Sequence, residues 1–404
     1  MNGSTAVAPS RQHALSATPE LVDRVRARLA ATGEGVTPAA VAAAVRAEAG
    51  GVASDIDVLA ALRVLRQEFV GAGPLDELLR DPRTTDVLVT GPTAVWVDRG
   101  SGLERTAVRF PDDAAVRRLA QRLALAAGRR LDDASPFVDG WLGDVGVRLH
   151  AVLAPVAADG TCLSLRVLRP AAHDLATLRS LGTLDATGEA VVRAVLAARL
   201  AFVVSGGTGS GKTTILGALL SAVDPVERLV VVEEAEELRP RHPHVVRLVA
   251  RPANIEGAGG VNVRDLVRQA LRMRPDRLVV GEVRGAEVCD LLAALNTGHD
   301  GGAGTVHANS AREIPARMEA LAAAGGLARD ALHSQLTAAI QVVLHMRRLA
   351  GGGRVLDVVG VFDRAGAAGS GLAEVRPAWI RGVGWAEGRA ALAALLRERG
   401  VNAP

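Results

Sequence analysis

Residues Gly206 to Thr214 read Gly-Gly-Thr-Gly-Ser-Gly-Lys-Thr-Thr. They fit the pattern G-x-x-x-x-G-K-[ST], in which glycines let consecutive backbone N–H groups curl around phosphate oxygens. Gly206, Gly207, Gly209 and Gly211 free the loop, with Thr208 and Ser210 between them. Lys212 is placed to reach terminal phosphates and the Thr213 hydroxyl to ligate a magnesium ion. Thr214 continues into a segment that reads as a helix, whose N-terminal partial positive charge faces the anion. The apolar run Leu200 to Val204 just before the loop predicts a buried strand, so the strand–loop–helix context that this chemistry needs is present. Of the 47 lysines and arginines, Lys212 is the only lysine. A compact ammonium on a flexible stem fits a phosphate cradle, whereas a planar guanidinium does not.

Two acidic segments follow. Val230-Val231-Val232 leads into Glu233-Glu234-Ala235-Glu236-Glu237, and Leu278-Val279-Val280-Gly281 leads into Glu282. Both put carboxylates at the end of an apolar strand, the edge at which open α/β sheets bind ligands. One acid could orient or deprotonate an attacking water while another holds magnesium through water, and Glu233 and Glu282 are the candidates. Glu236 reads as solvated. His299 and His307 lie in Asn-Thr-Gly-His-Asp-Gly-Gly-Ala-Gly-Thr-Val-His-Ala-Asn-Ser. Without a third ligand nearby they do not make a metal site, and a histidine sensing a terminal phosphate by hydrogen bond fits better. His242, His244 and His333 read as structural. Cys162 and Cys289 are far apart, lack a C-x-x-C pair and sit in apolar stretches, so buried reduced thiols are expected.

The elements that position these residues follow from periodicity. A chain of 404 residues exceeds one ordinary core. With no Tyr, five Phe and four Trp, that core must be Ala, Val and Leu. A net charge of +3 is only a weak hint of acidic partners. Residues 1–50 read as a tail with a short helical extension, in which Pro38 opens a helix and Gly50 closes it. A second helix shows Val58, Leu62, Leu65 and Phe69 on one face. Residues 51–170 form an α+β unit with strands near Asp86–Val89, Ala94–Val97, Leu103–Phe110, Val145–Leu153 and Thr161–Leu168, and a helix carrying Val116, Leu119 and Leu123. Residues 171–185 read as a linker. Residues 186–350 alternate helix and apolar strand, which implies a parallel sheet between helices. Residues 351–404 read as a C-terminal tail segment, with Ala365 to Gly371 a surface loop. The fold class is α/β, preceded by a smaller α+β domain. The N-terminus lacks an apolar signal segment, and no uncharged run approaches a membrane span. A cytoplasmic chain, recruited to the membrane by partners, is expected.

Four blocks occur in order: GGTGSGKTT, VEEAEEL, LRMRPDRLVVGEVRGAE and NTGHDGGAGTVHANS. Together they resemble the type II/type IV secretion ATPase superfamily over about residues 70–350, and most nearly its tight-adherence (Tad/CpaF-type) pilus-assembly branch. The resemblance implies a RecA-like P-loop NTPase core that hydrolyses ATP with Mg²⁺. It implies Glu233 as catalytic base, Glu282 as the second-strand glutamate, and His307 as the functional histidine. It also implies two N-terminal-domain arginines near the nucleotide, which match Arg148 and Arg166. Homohexamers are implied, driving inner-membrane platform proteins in pilus assembly or protein secretion or transfer. The acidic box usually reads Glu-Asp, and Glu234 departs from it. Measured from a turn at Asp159-Gly160, Arg148 and Arg166 are expected to be offset on adjacent strands. Two other classes compete. A DNA-acting P-loop ATPase is opposed by the scarcity of aromatic stacking residues and of excess charge, so no direct nucleic-acid contact is expected. A non-catalytic ATP-binding regulator is opposed by the intact lysine, acids and histidine.

Overall fold

The computed structural model describes residues 24–25, 28, 38–48, 71–142, 146–167, 173–251, 253, 258–363 and 372–404. The chain divides into two compact units, Met1–Val167 and Leu168–Pro404.

The first unit carries helix α1 (Pro38–Glu48), which opens on the expected proline. The expected helix through Val58 and Phe69 lies outside the described residues. After α2 (Asp76–Arg80) come β1 (Asp86–Thr90), β2 (Ala94–Asp98), β3 (Leu103–Arg105), α3 (Asp113–Ala126), β4 (Phe137–Leu142), β5 (Val147–Val152) and β6 (Cys162–Val167). The six strands form one antiparallel sheet in the order β3-β2-β1-β6-β5-β4. The Asp112 side chain accepts the Ala115 N–H at 2.7 Å and starts α3. Val116, Leu119 and Leu123 then lie four or fewer residues apart on one face and pack on Val87, Val89, Leu149 and Leu165 of the sheet. Sequence periodicity missed β4, whose Phe-Val-Asp-Gly-Trp-Leu contains two weak strand formers. The third strand ends at Arg105 and does not reach Phe110.

The second unit contains α4 (Leu175–Ser180), α5 (Ala186–Ala197), β7 (Phe202–Ser205), α6 (Lys212–Ser221), β8 (Leu229–Glu233), β9 (Val245–Val249), α7 (Val263–Ala270), β10 (Arg277–Val283), α8 (Glu287–Leu295) and β11 (Ala303–Val306). It continues with α9 (Ile314–Ala324), α10 (Arg329–Ala339), β12 (Val342–Arg348), β13 (Arg354–Phe362), β14 (Val375–Ile380), β15 (Gly384–Trp385) and α11 (Arg389–Glu398). Its nine-stranded sheet runs β15-β14-β13-β12-β7-β11-β10-β8-β9. Neighbours from β12 through β9 are parallel, whereas β12–β13, β13–β14 and β14–β15 are antiparallel. Every residue of β7, β8 and β11 is buried, as a strand covered on both faces requires. This is the expected α/β core with its parallel sheet, preceded by a smaller α+β domain.

Two expectations need correction. The stretch 171–185, read as a linker, contains α4, capped by the Asp174 side chain on the Thr177 N–H, and its Leu175 and Leu178 join the core. Residues 351–404, read as a tail segment, supply β13, β14, β15 and α11. The valine-rich Arg354–Phe362 pairs along β12, and Leu392 and Leu396 of α11 enter the same core. The loop Ala365–Gly371 lies outside the described residues.

Candidate functional site

Strands β7, β11, β10 and β8 are parallel neighbours in that order, so their carboxyl ends form one edge. Each end delivers one of the predicted groups. The loop after β7 carries Gly206 to Gly211 and enters α6 at Lys212, β11 is followed by His307, β10 carries Glu282, and β8 ends on Glu233. In sequence the acids come before the histidine. In space His307 stands between the loop and Glu282, because β11 is inserted between β7 and β10.

The loop geometry is that of a backbone cradle. Gly206 adopts φ 149°. A Cβ there would lie 2.4 Å from the Met346 carbonyl oxygen and 2.5 Å from Ser210 Oγ, so no side chain fits. Gly211, the N-cap of α6, adopts φ 92° and turns the loop into the helix. Lys212 is 7 % exposed, and its Nζ donates to the carbonyls of Gly206 and Gly207 at 3.0 Å each. Burial pushes its pKa below the usual value, opposed by the Glu282 carboxylate. Thr213 Oγ1 donates to Glu237 Oε2 at 3.3 Å.

Glu233 is 4 % exposed. Its Oε1 accepts the N–H groups of Glu237 and Leu238 at 3.1 and 3.0 Å, while Oε2 is buried with no partner. Burial raises its pKa to about 7 against those two donors. Gly281 gives it room, because a Cβ at that position would meet Glu233 Cγ at 2.7 Å. His307 bridges the other two groups, with Nδ1 3.5 Å from Lys212 Nζ and Nε2 2.5 Å from Glu282 Oε1. Burial and then the Lys212 charge lower its pKa, which keeps the imidazole neutral near pH 7.

The structure adds residues that sequence motifs passed over. Arg284 contacts Glu282 Oε2 at 2.5 Å and Glu234 Oε2 at 3.2 Å, so one guanidinium ties the two acidic segments together. Its position two residues after Glu282 was the available signal. Ser205 Oγ meets His345 Nδ1 at 2.9 Å beneath the loop, a buried pair set by the β7–β12 register. Arg354 at the start of β13 donates to the Gly209 carbonyl at 2.9 Å. Nothing in sequence spacing pointed to it, since it is 145 residues away.

Other candidates stand apart. His299 Nδ1 lies 3.1 Å from the Ala294 carbonyl, a helix-end contact. His333 is buried between Glu319 and the Ala373 N–H, a structural role. Glu236, read as solvated, contacts Arg239 and Arg247. Cys162 and Cys289 are free thiols but only partly buried, which corrects the expectation of full burial. Among the described residues no cluster of three or more His, Cys, Asp or Glu could hold a metal.

Arg148 and Arg166 lie in the other unit and are direct cross-strand partners, so the expected offset does not occur. Val152 pairs with Cys162, which makes the connection span 153–161 and not centre on Asp159-Gly160. Each arginine also has a carboxylate. Arg166 Nε is 3.0 Å from Asp86, and Arg148 Nε is 3.7 Å from Asp139. The like charges are therefore balanced within the sheet and do not require an external anion.

Residues 68–355 match the family described as Type II/IV secretion system protein. The chain belongs to the type II/IV secretion ATPase superfamily. A Mycobacterium tuberculosis (strain H37Rv) protein named for conjugal transfer is 62% identical over 350 residues, 85% of this chain and 98% of the relative. Protein VirB11 of Agrobacterium fabrum is 30% identical over 310 residues, 68% of this chain and 88% of the relative. Among solved structures, the ATPase DotB of Legionella pneumophila shares the fold with a TM-score of 0.51 and 19% identity, over 71% of this chain and 79% of that one. The secretion ATPase family implies nucleotide binding, and the core is RecA-like. Among the described residues no helix is long and apolar enough to cross a membrane.

The cradle fits a nucleotide on its own chemistry. Ser210 Oγ and Glu233 Oε2 are buried polar atoms without a hydrogen-bond partner. Each orphaned atom costs about 1–3 kcal/mol, and that cost is removed by a ligand that pairs with it.

Proposed function

We propose that the protein is a hexameric motor that hydrolyses ATP to drive pilus assembly, or protein secretion or transfer, at the cytoplasmic membrane. The observation that carries the reading is the line Lys212–His307–Glu282 along one sheet edge, with Glu233 buried on the next strand. In this reading Gly206 to Thr214 hold the phosphates, and Lys212 exchanges its two loop carbonyls for phosphate oxygens. Thr213 and Glu282 would hold Mg²⁺. That ion, when bound, would supply charge neutralisation at the phosphates. Glu233, with a pKa near neutrality and one free oxygen, takes the proton of the attacking water. Neutral His307 has a single N–H, which turns from Glu282 to the terminal phosphate when nucleotide is bound. Arg148 and Arg166 add positive charge to a bound nucleotide after exchanging Asp139 and Asp86 for phosphate.

The residue blocks favour the tight-adherence pilus branch. Conjugal transfer is a second reading, supported by the names of the mycobacterial relative and of the Sinorhizobium fredii protein TrbB, 29% identical over 290 residues. The partners in either reading are inner-membrane platform proteins. The test has two arms. Purified chain should form hexamers by light scattering and release phosphate from ATP. Tagged chain captured from the membrane fraction should bring down polytopic platform proteins together with pilin-assembly components. Capture of coupling or relaxase components in their place selects transfer, and a hexamer without turnover sinks the motor reading.

A further inference from the structure

The phosphate loop is held from outside by the β12–β13 hairpin. Arg354 Nε donates to the Gly209 carbonyl at 2.9 Å. Its stem lies against Gly211, where a Cβ would come within 3.1 Å of Arg354 Cδ. Arg348, the cross-strand partner of Arg354, brings a guanidinium nitrogen to 3.6 Å from the Cβ position of Gly209. The Met346 carbonyl closes against Gly206. A loop of glycines has no side chains to fix its peptide planes, so something else must do so.

We infer that Arg354 is a positioning residue for nucleotide binding, which holds the Gly209–Ser210 peptide in its phosphate-receiving orientation. In a trans peptide the carbonyl and the following N–H point opposite ways. Anchoring the Gly209 carbonyl outward therefore aims the Ser210 N–H inward. That N–H makes only a long 3.3 Å bond to the Gly207 carbonyl, which an arriving phosphate oxygen can replace. A charged donor on the carbonyl also polarises the peptide, which strengthens its N–H as a donor. Two opposed arginines beside the cradle further raise the local concentration of polyphosphate. The inference rests on the ATP-binding reading and assigns part of the affinity to a strand that the phosphate-loop motif does not include.

The test measures ADP and ATP affinity of the full-length protein by displacement of a fluorescent nucleotide, with turnover and melting temperature in parallel. Arg354→Ala should weaken both ADP and ATP by about tenfold, the low end for a lost charge-assisted hydrogen bond. The Michaelis constant should rise by the same factor, with kcat falling less than twofold. Amides of Ser210 and Gly211 should exchange faster in the nucleotide-free variant. Arg354→Lys, which can reach the same carbonyl, should recover most of the affinity. Should Arg354→Ala not fold, Arg354→Met keeps the stem over Gly211 and removes the donor. Nucleotide affinity within twofold of wild type in a folded variant overturns the inference while leaving the ATPase reading standing. A wild-type chain that binds no nucleotide overturns both.

Discussion

Strand β10 carries a charge cluster at each end, and the two are built differently. At its start, Arg277 is 2 % exposed and makes a bidentate pair with Glu227 at 2.9 Å, with further bonds to the Leu196 and Gly301 carbonyls. Arg199 adds a second cation at 3.2 Å from Glu227. Near its other end, Glu233 on the next strand keeps a buried oxygen without a hydrogen bond, Glu282 is held among the described residues only by the half-exposed Arg284 and by His307, and Glu233, Lys212 and His307 all have displaced pKa values. A satisfied buried pair holds the sheet together, whereas unsatisfied charges at a carboxyl edge store binding capacity at a cost in stability.

That contrast can be broken from either end. Arg277→Ala should cost about 3 kcal/mol of stability, the low end for breaking a buried pair because Arg199 still faces Glu227; calorimetry would show the fall in Tm, and an unchanged Tm would remove the cluster as a support of the sheet. Lys212→Ala should lower ATP turnover by about 100- to 1,000-fold, the scale for losing one electrostatic clamp on a developing charge. Its Tm should hold or rise, since a partly desolvated ammonium is removed. Wild-type phosphate release in that folded variant would contradict the site assignment.

Glu233→Gln and Glu282→Gln should retain nucleotide but turn over about a hundredfold more slowly. If only Glu234→Gln showed the loss, the base would be one residue further on.

The smallest effect sharpens the comparison through pH. Glu233 has a folded pKa of about 7 against 4.5 in the open chain. The folded state therefore binds the extra proton. The resulting stabilisation is complete below about pH 4.5 and lost as pH rises through 7, by about 3 kcal/mol at most. Glu233→Gln should flatten that slope in chemical denaturation, and an identical slope in both proteins would remove Glu233 as its source. Wild-type turnover should rise through the same interval as the carboxylate ionises.

Much of this was legible in the sequence, for reasons that differ by residue. The loop at Gly206 to Thr214 could be placed between strand and helix because its pattern lies in consecutive residues, so local order is enough. Glu233 and Glu282 could be read because each ends an apolar run and strand ends bind ligands. The β13–β15 extension was not legible. Its strands are short or glycine-interrupted, and only pairing along β12 makes them part of the sheet. Arg148 and Arg166 could be named by resemblance, but their direct opposition depended on the 153–161 connection, and their carboxylate partners come from other strands.

The sequence by itself therefore determined which side chains are available at the edge: one lysine, two glutamates at strand ends, and a histidine in a glycine-rich segment. Tertiary structure alone decided their order and their charge states. Inserting β11 between β7 and β10 puts His307 within reach of both Lys212 and Glu282, although 95 residues separate it from the lysine. Closing helices over both faces removes water from Glu233, and desolvation brings its pKa to about 7. Sequence spacing cannot encode that burial, because it depends on every element packed around the carboxyl group.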